Sequence, residues 1–248
     1  MKCVNDHRGV LFNQLLRLLK DGFLSSLFLA SIVKILRVVS LDLDGTLVSR
    51  EYVDYFWLEL VPRLYAEKHG IDFREAKNIV LREYDKIGPR DLRWYIPEYW
   101  FSRFNLDRNL LHQALEEAGR LVKPYEDTLE FLEKAHRMCK LVVCTSASRE
   151  FVNLVFKRVP LIPQTVSSVF SSVSDFALPG KPREFYERVL TKLNVRPEEV
   201  IHVGDDEEND YRIPLSLGIR AVLIDRKGVK GFQNLLELLP IIGNAPAP

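Results

Sequence analysis

The chain has 248 residues, 47% of them hydrophobic, with Lys+Arg 35 against Asp+Glu 34 and a formal charge of +1. That is enough apolar material for one core plus a smaller appended unit. The balanced charge, with no dense Lys/Arg patch interleaved with aromatics, argues against a nucleic-acid partner. The three cysteines, Cys3, Cys139 and Cys144, form no C-x-x-C pair, so buried free thiols and a reducing, cytoplasmic setting are expected.

In residues 1–35, Leu11, Leu15, Leu18, Leu19, Leu24, Phe28 and Ile32 recur at helical spacings. The apolar run from Phe23 to Val33 is shorter than the stretch of about 20 residues a membrane span needs, and no A-x-A-like cleavage site follows it. An N-terminal helical extension is expected without a spanning membrane helix. Three readings stay open: a helical pair docked on the body, a membrane-surface or partner contact through residues 10–36, and a poorly ordered extension.

Leu36 to Leu41 reads as a strand buried on both faces, and it runs straight into Asp42-Leu43-Asp44-Gly45-Thr46. Residues 51–120 then change to helical periods rich in aromatics, with helices expected near 51–69, 72–86, 91–104 and 107–120. From 121 the pattern returns to βα. Helices are expected near 125–138, 148–157, 182–193 and 209–217, with strands at Lys140–Cys144, Ser167–Phe170, Val200–Val203 and Arg220–Ile224. This alternation implies an α/β fold: a Rossmann-like parallel sheet with helices on both faces, residues 36–50 and 121–240. An all-helical insert at 51–120 and a disordered tail at 241–248 complete the expected layout.

Four polar clusters follow apolar runs or a glycine: Asp42-x-Asp44-Gly45-Thr46, Thr145-Ser146, Lys181, and Gly204-Asp205-Asp206-x-x-Asn209-Asp210. In a parallel sheet the strand C-termini share one edge, so at least three clusters converge there. The parts suit phosphoryl chemistry. Asp42 is a carboxylate nucleophile able to form an aspartyl-phosphate. Asp44 can protonate the leaving oxygen and then activate water. Asp42 and Asp205 can hold Mg²⁺, which prefers oxygen ligands. Lys181, the Thr145 hydroxyl and nearby backbone N–H groups, among them those of Gly45, Thr46 and Ser146, can hold phosphoryl oxygens.

Asp42-Leu43-Asp44-Gly45-Thr46, Thr145, Lys181-Pro182 and Gly204-Asp205-Asp206-Glu207-Glu208-Asn209-Asp210 together resemble, in order and spacing, the four signatures of the haloacid dehalogenase superfamily. The resemblance covers about residues 36–225. It implies a Mg²⁺-dependent phosphatase of the phosphoglycolate phosphatase-like type, with the helical insert as a mobile cap. It further implies that Asp44 meets the metal through its backbone carbonyl, and that Asp206 and Asp210 lie just outside the ligands Asp42, Asp44 and Asp205. Ser146 replaces a frequent Asn, Arg183-Glu184 a frequent Asp-Pro, and Asp206 a frequent Ser. Dehalogenase members typically lack an acid at the position of Asp44, so its presence favours a phosphate ester. The expected substrate is a small phosphorylated metabolite, and the expected assembly a monomer or homodimer.

Plainer readings compete. An EF-hand fails because the twelfth position from Asp42 is Val53 rather than Glu. His202, inside a strand, reads as a satisfied core residue. Trp57, Trp94 and Trp100, all in the insert, read first as its own packing, with a few lining a substrate pocket as the alternative. Arg90 and Arg93 read as a solvated helix face. The same scaffold could serve a dehalogenase, a phosphomutase or a phosphonatase, the last needing a lysine such as Lys68, Lys77 or Lys86. It could also be a non-catalytic scaffold.

Overall fold

The computed structural model describes residues 36–228 and 231–242. The N-terminal extension expected at 1–35, the tail at 243–248 and Cys3 lie outside the described residues. No helix among the described residues is long and apolar enough to cross a membrane.

Five strands form one parallel sheet in the order β3-β2-β1-β4-β5. They are β1 (Val38–Leu41), β2 (Lys140–Thr145), β3 (Ser168–Ser171), β4 (Val200–Gly204) and β5 (Arg220–Leu223). β1 is central, with Leu41 opposite Val143 of β2 and Val203 of β4. The pleat sorts side chains onto two faces. Val39, Leu41, Leu141, Val143, Ile201 and Val203 join one apolar cluster, and Val38, Val142, Cys144 and Val200 join the other. This is the Rossmann-like α/β architecture expected from the alternating pattern.

Between β1 and β2 every helix or strand among the described residues is helical: α1 (Glu51–Tyr55), α2 (Val61–His69), α3 (Phe73–Ile87), α4 (Pro97–Arg103) and α5 (Arg108–Gly119), with α6 (Thr128–Ala135) returning the chain to the sheet. α3 starts where Asp72 accepts from the N–H of Arg74 at 2.8 Å, and it buries Ala76, Val80 and Tyr84 along one stripe. After β2 come α7 (Arg149–Arg158), α8 (Leu161–Thr165), α9 (Ser172–Phe176), α10 (Arg183–Leu193), α11 (Ile213–Ser216) and α12 (Leu239–Ile242). α6 and α7 pack on the first face through Phe131, Leu132, Phe151 and Val152, and α10 on the second through Phe185, Tyr186 and Val189.

Several boundaries differ from the periodic reading, each for a local reason. The helix expected over 51–69 contains a π turn at Phe56–Leu60, where the N–H of Val61 bonds the carbonyl of Phe56. The next residue, Pro62, has no N–H to continue the regular ladder. The helix expected over 91–104 breaks into a 3₁₀ turn at Leu92–Tyr95 and α4, because Pro97 holds Ile96 extended at φ −103° and ψ 107°. The short helices α8 and α9 carry no long period and escape sequence reading. The helix expected over 209–217 starts as a π turn at Glu207–Arg212. At the other end, Ile241 and Ile242 belong to α12 and are buried, so ordered chain continues past residue 240.

Candidate active site

The C-terminal ends of β1, β2 and β4 deliver the polar clusters to one cavity of about 620 Å³. Asp42 directly follows β1, and its N–H donates to the carbonyl of Val203 at 2.8 Å, which ties the loop to β4. Lys181 crosses beneath it. Its Nζ lies 2.5 Å from Asp42 Oδ1 and also pairs with Asp210. All three side chains are almost wholly buried.

Carboxylate oxygens of Asp42, Asp205 and Asp210 lie within 4.8 Å of one another. This grouping adds one carboxylate to the expected pair Asp42 and Asp205, while Asp44 is expected to reach the ion through its backbone carbonyl rather than its carboxylate. Asp210, expected just outside the ligands, joins the cluster. The Asp44 carboxylate does not: its Oδ1 accepts from the Tyr52 hydroxyl at 2.6 Å. Asp206 spends its Oδ1 capping the turn that follows, accepting from the N–H groups of Glu208 at 3.0 Å and Asn209 at 2.7 Å. Asp206 thereby reaches the site through Asn209, whose side-chain oxygen accepts from the backbone N–H of Lys181 at 3.0 Å.

The donor set fits a hard divalent cation. Burial pushes the Asp42 carboxyl well above the usual range, against the pull of Lys181, and neighbouring Asp210 and Asp205 push it the same way. Asp205 is likewise pushed up to about 6, by burial first and then by Asp210. Asp210 goes the other way: burial opposes ionisation, but Lys181 and His202 hold its carboxyl below the usual range. Lys181 and the more distant Arg50, for three close carboxylates, leave negative charge that an oxygen-seeking cation relieves. The packing preserves this cradle. Gly45 has φ +89°, and a Cβ there would stand 2.2 Å from Asp205 Oδ2, so both backbone freedom and closeness require glycine.

Thr145 and Ser146 line the cavity. The Thr145 hydroxyl accepts from the N–H of Ala147 at 3.0 Å, which shapes the loop before α7. Gly45 and Thr46 do not line the cavity. Thr46 is fully buried, and its carbonyl accepts from Arg226 at 2.5 Å. The Gly45 N–H, expected to meet the phosphoryl group, donates to the carbonyl of Val48 at 2.7 Å, and the Thr46 carbonyl braces the loop.

Sequence reasoning missed several contributors. Tyr52 and Tyr186 bring hydroxyls to the predicted site residues Asp44 and Asp210. Ser148 lines the cavity with a buried hydroxyl that has no hydrogen-bond partner among the described residues. Its position three residues beyond Thr145 was the available signal. His202 is fully buried and satisfied. Ser40 Oγ lies 2.8 Å from its Nδ1, and its Nε2 lies 2.8 Å from Asp210 Oδ1. Burial lowers its pKa, against the pull of Asp210.

Comparison with known proteins rests on the same stretch. Residues 36–213 match the haloacid dehalogenase-like hydrolase family. The chain belongs to that family. It is 27% identical over 170 residues to the GMP/IMP nucleotidase YrfG of Escherichia coli K12, covering 68% of this chain and 74% of that one. It is 26% identical over 230 residues to the glyceraldehyde 3-phosphate phosphatase of Methanocaldococcus jannaschii, covering 82% and 95%. Among solved structures, a HAD phosphatase from Thermococcus onnurineus superposes with a TM-score of 0.72 at 27% identity, covering 85% of this chain and 99% of that one. A 2-haloacid dehalogenase from Pseudomonas syringae, at 16% identity and a TM-score of 0.60, shares the fold. The hydrolase implied by the four signatures is what this chain is.

Proposed function

We propose that this hydrolase is a Mg²⁺-dependent phosphatase that cleaves the phosphate monoester of a small metabolite through an aspartyl-phosphate on Asp42. The observation that carries the reading is the division of labour between the two carboxylates after β1. Asp42 sits in the charge cluster with Lys181, whereas Asp44 stands outside it, bonded by Tyr52 and facing the same cavity. Burial raises the Asp44 carboxyl above its usual range, with the Tyr52 hydrogen bond opposing, which favours a proton-carrying acid.

An Asp42 oxygen attacks phosphorus, and the ester oxygen leaves with the proton of Asp44. Water then attacks the acyl phosphate while Asp44 takes its proton back, which releases inorganic phosphate and restores both carboxylates. Lys181 stabilises the ionised Asp42 and the charge on the transferring group. Asp42, Asp205 and Asp210 would hold Mg²⁺, with the Asp44 carbonyl as the family resemblance implies, and the ion would supply charge neutralisation at the phosphoryl oxygens. Thr145, Ser146 and the unpartnered Ser148 hydroxyl supply donors on the opposite wall. The helical insert, which contributes cavity-lining residues from α1 and α3, acts as a cap that excludes bulk water.

The dehalogenase alternative lacks support at Asp44, since halide departure needs no proton. The test is phosphate release from p-nitrophenyl phosphate. Asp42→Asn is expected to lower kcat at least 10³-fold, on the scale of losing a covalent nucleophile, and EDTA should abolish turnover reversibly. Turnover by Asp42→Asn at the wild-type rate removes the mechanism.

A further inference from the structure

The two curated relatives act on very different phosphate esters, and the cavity beyond Asp42 discriminates between them. Its far wall is aromatic. Trp57, Tyr84 and Trp94 form an edge-to-face row, with Trp57 and Trp94 placed 5.7 and 6.1 Å from the Tyr84 ring. Trp57 and Trp94 are half-buried and line the cavity, whereas Trp100 is buried behind them at 1% exposure. The packing reading thus holds for Trp100. Trp57 also packs against Phe56 and Phe151, so it and Trp94 offer the cavity part of their aromatic surface, which suits a flat aromatic partner.

Charge points the same way. Among the described residues, the cations lining the cavity are Lys181, committed to Asp42 and Asp210, and Arg50, 3.9 Å from Asp205. Lys181 serves the phosphoryl end, and Arg50 is shared between Asp205 and Asp54. The insert adds the exposed carboxylates of Asp54, which also feels Arg50, and Asp85. A substrate with a second phosphate or a carboxylate would meet repulsion there. A leaving group that carries N–H donors would find acceptors. A triose would leave most of about 620 Å³ to water.

Resting on the phosphatase reading, we propose that the site takes purine nucleoside 5′-monophosphates, with the base stacked on Trp57 and Trp94 and its ring-edge N–H groups donating to Asp85 or Asp54. Guanine, with adjacent ring and exocyclic N–H donors, suits one carboxylate bidentately, hypoxanthine offers one of those donors, and adenine presents an acceptor at that ring position.

The full chain with Mg²⁺ is assayed by phosphate release from GMP, IMP, AMP, glyceraldehyde 3-phosphate and fructose 1,6-bisphosphate. Expected kcat/KM falls in the order GMP, IMP, AMP, with GMP at least tenfold above the triose phosphate and the bisphosphate. Trp94→Leu should lower the ratio of kcat/KM for GMP to that for glyceraldehyde 3-phosphate at least tenfold. Asp85→Asn, an exposed change that spares the fold, together with Asp54→Asn should erase the preference for GMP over AMP. Phosphate release with glyceraldehyde 3-phosphate or the bisphosphate equal to GMP overturns the nucleotide inference and leaves the phosphatase standing. Calorimetric titration of GMP into Asp42→Asn keeps the two separable. GMP binding weakened at least tenfold by adding Trp94→Leu supports the pocket even if no ester is hydrolysed, and binding indifferent to Trp94 overturns it.

Discussion

The sheet edge and the helical insert face each other across one cavity, yet they are built on opposite logic. At the edge, topology places the strand-end groups. Parallel strands end together, so Asp42, Thr145 and Asp205 converge whatever the intervening chain does. In the insert, placement depends on how far each helix is rotated. Trp94 faces the cavity while Trp100, six residues on, is buried in the packing behind it. On the proposed reading, the reacting groups sit at strand ends and the selecting groups on helices whose facing residues can change without moving a strand end.

The sharpest way to break this comparison is to remove charge from the edge and volume from the insert. Lys181→Met leaves Asp42 and Asp210 buried without their cation. Removing one partner of a buried charge cluster costs about 3–5 kcal/mol, so the denaturant midpoint in EDTA should fall accordingly and turnover should be lost. Mg²⁺ should restore part of the stability, because it supplies the missing positive charge. Trp100→Ala should cost a similar amount, about 3–5 kcal/mol from lost burial and the cavity left behind, but with no rescue by Mg²⁺. Equal response of the two variants to Mg²⁺ in denaturant titrations would erase the distinction between the regions.

The same contrast explains what could be read in the sequence. Asp42, Asp205 and Thr145 were legible because an apolar run ending in a polar residue marks a strand edge, and the sheet does the rest, while Lys181 was marked by the Pro179-Gly180 turn before a helix. Tyr52 was not. On an amphipathic helix it reads as one more apolar position, and only the fold brings its hydroxyl 2.6 Å from Asp44. Tyr186 was hidden for the same reason. Tyr186 donates to the carbonyl of Asn209 at 2.6 Å across 23 residues, a contact set by how α10 lies against β4. Asp206 caps the following turn with its carboxylate and meets Lys181 through Asn209, a role that local capping sets and the motif alone does not reveal. The helices of the insert were legible as a class from their period. Their interruptions were marked by Pro62 and Pro97, but the choice of which aromatics face the cavity lies in helix rotation, which a single sequence does not specify.

The smallest effect expected is a difference in thiol chemistry between the two regions. Cys144 is fully buried in β2 and Cys139 is 8% exposed beside it. Burial pushes both thiols up to about 12. The thiolate is the reactive form, so at pH 8 the ionised fraction is of order 10⁻⁴ for a pKa near 12, and the sheet itself blocks access. In a Cys3→Ser background, an aromatic disulfide reagent should label neither residue until the sheet unfolds. Leu58 is 40% exposed on the cavity side of the insert, and Leu58→Cys in the same background should react within the mixing time. Raising the pH toward 10 multiplies thiolate at Cys144 but cannot open the strand, so its labelling rate should stay tied to the rate of unfolding measured by circular dichroism. A Cys144 rate that climbs tenfold per pH unit without any change in unfolding would mean that the sheet edge breathes as freely as the insert, and the rigid half of the comparison would fail.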